Sequence, residues 1–154
     1  MSFPLRLGRF SLFRPIVNCT RPIPNLSLRM ASSTPAPRFA EGEDPHQLSS
    51  DTTTLQQQGW ALDAEGMGVT KTFHFKSYFK AVSFLNMIAA ESSVKKHHPT
   101  MTIRFGSVDV HWTTHHPRGL THKDIALARH CDAGAGLIGA VEPGQGLKCG
   151  PETK

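Results

Sequence analysis

His97-His98-Pro99, His115 and Asp124 place three imidazoles and a carboxylate within 28 residues. Imidazole is the side chain whose ordinary pKa, about 6.5, lets it both give and take a proton near neutral pH. Histidines spent this way equip a chain to move protons. Pro99 disfavours helical backbone at His98 and so sets where a preceding helix must stop, which gives the two imidazoles a rigid exit. His115 stands at the far end of a predicted strand that returns antiparallel toward that turn. Asp124 is placed to orient a histidine, as buried carboxylates do in other histidine sites. It is equally placed to cap a helix opening at Thr121, and the two roles are compatible.

Nine histidines follow residue 40, seven of them between 97 and 130. A metal site is the first rival to an acid–base site. His111 and His115 are four apart, which would suit one ion on a helix. On a strand, four residues span about 13 Å, too far for two ligands at roughly 2 Å each. Adjacent His97 and His98 tend to point apart, and neither HExxH nor CxxC occurs. No metal is therefore expected. His46, His122 and His130 read as surface or capping residues, whereas His111 and His116 stay open between surface and site. His74, between Phe73 and Phe75, points away from both and faces either solvent or a pocket.

The elements that must position these groups are legible from periodicity. Ser49, Ser50 or Asp51 is suited to cap a first helix running toward Gln58. Trp60–Leu62 and Val69–Phe75 read as strands joined by the turn-prone segment 63–68. Tyr78, Ala81, Val82, Leu85, Ile88 and Ala89 form one apolar helical stripe, with Ser77 as N-cap. Phe79, Phe84 and Met87 lie off that stripe, as if a second face were covered, for example by another subunit. Met101–Phe105 and Val108–Thr114 read as a hairpin around Gly106-Ser107. In its second strand Val108, Val110 and Trp112 share one face, and Asp109, His111, Thr113 and His115 the other. Thr121 caps a last helix from His122 to about His130, with Asp124 at its third position and Leu120 and Ile125 spaced as a hydrophobic staple. The order is helix, two strands, helix, two strands, helix.

At 154 residues the chain suits one domain, and no apolar run is long enough for a membrane-spanning helix, so no membrane partner is expected. The formal charge of +5 is uneven. Residues 1–40 hold six arginines and no lysine or acid, while residues 41–154 hold 11 basic and 12 acidic side chains. A domain near neutrality argues against nucleic-acid binding, which calls for a basic face on the domain itself. Residues 1–40, with arginines among bulky apolar residues, serine and threonine, have the composition of a disordered mitochondrial import leader. Met30 offers a second start that would yield a cytosolic form. Residues 41–47 read as linker, 48–133 as the compact domain and 134–154 as a glycine-rich flexible tail. Cys19, Cys131 and Cys149 have no metal-ligand spacing and suit a reducing compartment.

Taken together, Gly59-Trp60, Phe73-His74-Phe75-Lys76, Ala81, Phe84, His97-His98-Pro99, Phe105, His115, Gly119-Leu120-Thr121 and Asp124 resemble the pterin-4α-carbinolamine dehydratases over residues 48–133. The resemblance implies an α+β fold, with a four-stranded antiparallel sheet and three helices packed on one face, paired into homodimers or homotetramers. It implies a pterin substrate, loss of water from 4a-hydroxytetrahydrobiopterin to give quinonoid dihydrobiopterin, and no metal or redox cofactor. His97, His98 and His115 would bind the pterin, with His97 and His115 as acid–base pair and His98 as a pterin-binding or second relay residue. Asp124 would orient the set. Two positions depart from the family's pattern. Ser93 stands where an acid is expected four residues before His97, and Met101 where many members carry tryptophan. Glu91 faces another direction on a helix and is no automatic replacement for that acid. Non-catalytic relatives acting as dimerisation or assembly partners are the alternative that this departure raises.

Overall fold

The computed structural model describes residues 35–146. The import-leader reading rests mostly on residues 1–34, which lie outside the described residues, as do Met30, Cys19, Cys149 and the end of the expected tail. Helix α1 (Pro45–Gln57) is followed by β1 (Ala61–Leu62), β2 (Gly68–Phe75), α2 (Tyr78–Lys95), β3 (Thr100–Arg104) and β4 (Ser107–His115). Then come β5 (Arg118–Gly119), α3 (His122–Ile138) and β6 (Ala140–Val141). The strands pair antiparallel in the order β1-β2-β4-β3, with β5 added to β4 and β6 to β2. The expected four-stranded α+β sheet is thus present, extended by two two-residue strands.

Register explains which face is covered. Thr70 lies opposite His111, and His111 opposite Thr100, so one row crosses β2, β4 and β3. Along β4, Val108, Val110 and Trp112 are fully buried, while Asp109, His111 and Thr113, which alternate with them, are half-buried. This period-two alternation marks a sheet with helices on one face and an open second face. Phe73 and Phe75 of β2 reach the same core as Ile88, Leu120, Ile125 and Cys131.

Four elements differ from the sequence reading. Helix α1 begins before Ser49: Asp44 is its N-cap, accepting from the His46 amide at 2.9 Å, and Pro45 occupies the first turn, where its missing N–H costs nothing. The packed unit begins earlier still, because Ala40 is buried and its N–H donates to the Leu120 carbonyl at 3.0 Å. Residues assigned to the linker therefore belong to the fold. The buried stripe of α2 is Ala81, Phe84, Ile88 and Ser92, whereas Tyr78 and Ala89 are exposed. Phe84 turns the helix, its ring lying 4.7 Å from Phe73 and 5.2 Å from Phe75. Finally, α3 runs past His130 to Ile138, and β6 follows, so the expected flexible tail does not start at Gly134. A Cβ at Gly134 would lie 2.1 Å from the Met87 sulfur. Glycine is there to let α2 and α3 touch.

Candidate active site

Helix α2 ends with Lys96 in the left-handed region at φ 50°, and the His97 amide donates back to the Ser92 carbonyl at 3.1 Å. This closure is a common helix stop, and it aims the His97 ring inward. The ring stacks on Trp112, centroids 5.6 Å apart at 16°. Its Nε2 lies 2.7 Å from Asp124 Oδ1. A carboxylate only accepts, so Nε2 carries the proton of this hydrogen bond.

Asp124 is fully buried in the first turn of α3. Its Oδ2 accepts from the Thr121 amide, the Thr121 hydroxyl and the Thr114 hydroxyl, each at 2.8 Å. The capping box read from the sequence is present, and the same carboxylate holds His97. Burying a charge is costly unless it is paired and hydrogen-bonded. Here both oxygens are occupied, which satisfies that requirement.

His115 is placed differently. It lies at the exposed end of β4, one residue beyond Thr114, on the open face. It lines a cleft of about 320 Å³ with Asp63, Glu65, Met67, His111, Thr113 and Arg118. His97 and His98 do not line this cleft. His98 is exposed in the turn between α2 and β3. The structure therefore joins His97 to Asp124 and sets His115 on the other face of the same strand. Since β3 begins at Thr100 opposite His111, residues 112–115 run beyond the start of β3, beside the turn carrying His97 and His98.

The cleft contains a second histidine–carboxylate pair that the sequence left open. His111 Nε2 lies 3.0 Å from Asp63 Oδ2. Asp63 Oδ1 accepts from the Glu65 and Met67 amides at 3.1 and 2.9 Å and thereby builds the β1–β2 turn. The alternation of β4 put His111 on the His115 face, but nothing local linked it to a residue 48 positions away. Gly68 makes room for the pair, since a Cβ there would lie 2.5 Å from His111 Nε2 and 2.6 Å from Asp63 Oδ2.

Glu91 is not a substitute for the missing acid. It pairs with Lys95 at 3.7 Å and lines a groove between α2 and α3 with His122, Leu127 and His130. Ser93 is exposed in the last turn of α2. A larger cavity, about 520 Å³, is walled by His74, Lys71 and Asp132 and by none of the predicted site residues. Its polar groups serve the fold. Lys71 Nζ donates to Asp132 and to the Gln58 carbonyl, and the Trp60 indole donates to Asp132 at 2.8 Å. Burial pushes the Cys131 thiol up to about 12, which keeps it protonated and unreactive. Among the described residues no group of three His, Cys, Asp or Glu side chains is placed to hold a metal, and no helix is long and apolar enough to cross a membrane.

A family model described as pterin 4 alpha carbinolamine dehydratase matches residues 44–134. A Thermomicrobium roseum protein named "Putative pterin-4-alpha-carbinolamine dehydratase" is 39% identical over 71 residues, covering 46% of this chain and 74% of its own. A protein of the same name from Natronomonas pharaonis is 40% identical over 72 residues, covering 47% and 78%. Among solved structures, a "transcriptional coactivator/pterin dehydratase" from Brucella melitensis aligns with a TM-score of 0.55 at 28% identity, over 60% of this chain and 96% of that one.

Proposed function

The chain belongs to the pterin 4 alpha carbinolamine dehydratase family, and on that premise we propose that it eliminates water from 4a-hydroxytetrahydrobiopterin. The observation that carries this reading is the His97 imidazole, fixed by a buried carboxylate and an aromatic stack in a chain that matches the family. In the proposed reaction the C4a–O bond breaks while N5 loses its proton and forms the C4a=N5 double bond. The departing oxygen takes a proton from one imidazole, and the other imidazole accepts the N5 proton. Electrons are conserved, so no redox partner is consumed. His97 and His115 fill these acid and base roles, and His98, at the exposed turn, contacts the pterin. Asp124 is a positioning residue, holding the His97 tautomer from the side away from substrate. Each well-placed acid or base contributes roughly 10²–10⁴-fold.

The test is stopped-flow breakdown of the 4a-carbinolamine with and without the purified chain. The double variant His97→Gln/His115→Ala, in which the side-chain amide can still donate to Asp124, is expected to return the rate to the uncatalysed level with the fold intact. An unchanged rate in that variant would overturn the assignment.

A second reading, a catalytically weak member serving as a dimerisation or assembly partner, is favoured by Ser93 and by the sideways pairing of Glu91. A native chain that leaves the uncatalysed rate unchanged supports it. We also propose a homodimer or homotetramer, supported by exposed Phe79, Val94 and Leu137 on the outer helix faces. Light scattering of a monomer at micromolar concentration would refute it. Mitochondrial import by residues 1–40 remains a proposal from composition, and a reporter fusion that stays diffuse in the cytosol would end it.

A further inference from the structure

We propose that residues 36–40 form a strap whose backbone sets the width of the cleft at His115, with Arg38 as its positioning residue. The two walls of that cleft come from distant parts of the chain. Asp63, Glu65 and Met67 belong to the turn between β1 and β2, and Arg118 to β5, which pairs with the strand end carrying His115. Arg38 is bonded to the chain behind both walls. Its N–H donates to the Gly66 carbonyl at 2.7 Å, and its carbonyl accepts from the Leu120 amide at 2.9 Å. The distance from the turn to the end of β5 is thus spanned by the two backbone groups of one residue, whose separation is covalent. The Ala40 N–H adds a bond to the Leu120 carbonyl at 3.0 Å, so the strap runs parallel to the chain at Leu120.

Two glycines admit the strap. A Cβ at Gly66 would lie 2.2 Å from the Ala36 carbonyl oxygen, and one at Gly119 would lie 2.6 Å from the Ala40 nitrogen. Both have positive φ, 72° and 140°, so glycine serves the backbone conformation and the close approach together. Ala40 is buried and Phe39 packs against the core, which anchors the strap from within. The Glu65–Arg118 ion pair crosses between the same walls at 2.6 Å, but its side chains are 59% and 69% exposed. An exposed pair contributes little, so the strap is the stronger tie. Leu120 precedes Thr121, whose amide donates to Asp124, so the strap also abuts the turn that steadies His97. Residues 36–40 fall inside the segment whose composition suits an import leader. Trimming past Ala40 takes the strap away, whereas a chain starting at Met30 keeps it.

The proposal rests on the dehydratase reading for what His115 does, and on these contacts alone for the strap. In the full chain, Arg38→Pro removes the N–H and keeps the carbonyl. Arg38→Ala keeps both groups and alters only an exposed side chain. Arg38→Pro is expected to quicken amide hydrogen exchange about tenfold at Glu65, Met67 and Leu120, with Val110 at the sheet centre unchanged. It should also shift the His115 imidazole resonance and lower kcat for carbinolamine breakdown, while Arg38→Ala matches the native chain in all three. Unaltered exchange at Glu65 and Met67, or an unmoved His115 resonance, overturns the proposal. If Arg38→Pro does not fold, the native chain decides. Its Arg38, Ala40 and Leu120 amides should then exchange through one common opening, with the same dependence on urea, and independent openings overturn the strap. A native chain without turnover sinks the dehydratase reading and leaves the exchange and resonance results to judge the strap.

Discussion

The two histidine–carboxylate pairs are chemically alike and physically unlike. His97 and Asp124 meet at 2.7 Å with the carboxylate fully buried, whereas His111 and Asp63 meet at 3.0 Å with side chains 31% and 23% exposed. Removing one member of a buried pair leaves a charge or polar groups with no water to replace it, while a half-exposed pair recovers hydration. The buried pair is therefore bound up with folding. The open pair can vary with little cost.

Asp124→Ala should break the buried side most severely. It strips partners from His97, Thr114 and Thr121 at once, and a loss of about 3–5 kcal/mol is expected, read as the shift in a urea unfolding curve. A loss under 1 kcal/mol would show that the network is replaceable. Gly68→Ala attacks the open side, because its Cβ would also meet the Trp112 carbonyl at 2.7 Å. Overpacking of about 1–3 kcal/mol is expected, with the His111–Asp63 bond lost, as seen in the His111 imidazole resonances. A cost equal to that of Asp124→Ala would erase the contrast between the two faces.

The helix-facing side also answers to pH through Cys131. Its folded pKa is raised, so its contribution is complete below the unfolded value of 9.0 and is lost as pH rises toward about 12. Stability should fall in that window by at most about 1.4 kcal/mol per pH unit, and Cys131→Ala should flatten the fall. Asp51 on the outside of α1 has the opposite sign. Hydrogen bonds from Arg129 and Gln47 lower its pKa, so its share is present above 3.8 and disappears as pH falls through the lowered value. Smallest is Ser93→Glu, which sets a negative charge in the last turn of α2. A cost of about 0.3–1 kcal/mol is expected, together with faster carbinolamine breakdown. An unchanged rate would show that the acid is dispensable in this chain.

Most of the architecture was legible because period two and period 3.6 are local properties. The alternation of Val108, Val110 and Trp112 against His111, Thr113 and His115 stood in the sequence as it stands in the sheet. Thr121 with Asp124 announced the start of α3 correctly. The errors came where a tertiary contact overrode a local cue. Gly134 and Gly136 read as part of a glycine-rich flexible tail, yet Gly134 sits inside a helix, where Met87 fills the space of its side chain. Pro45 read as linker, although proline is welcome in a first turn behind an Asp cap. Tyr78 seemed to begin the buried stripe, and the rings of Phe73 and Phe75 selected Phe84 instead. The bond between His97 and Asp124 was within reach of spacing and chemistry. The bond between His111 and Asp63 depends on a strand register that no short window contains.

The oxygen of Asp124 that accepts the Thr121 amide belongs to the carboxylate that steadies the His97 ring. Fraying of that first helical turn and release of the imidazole are consequently one event. Deuterium uptake at the Thr121 amide then serves as a clock for how long His97 keeps its aim.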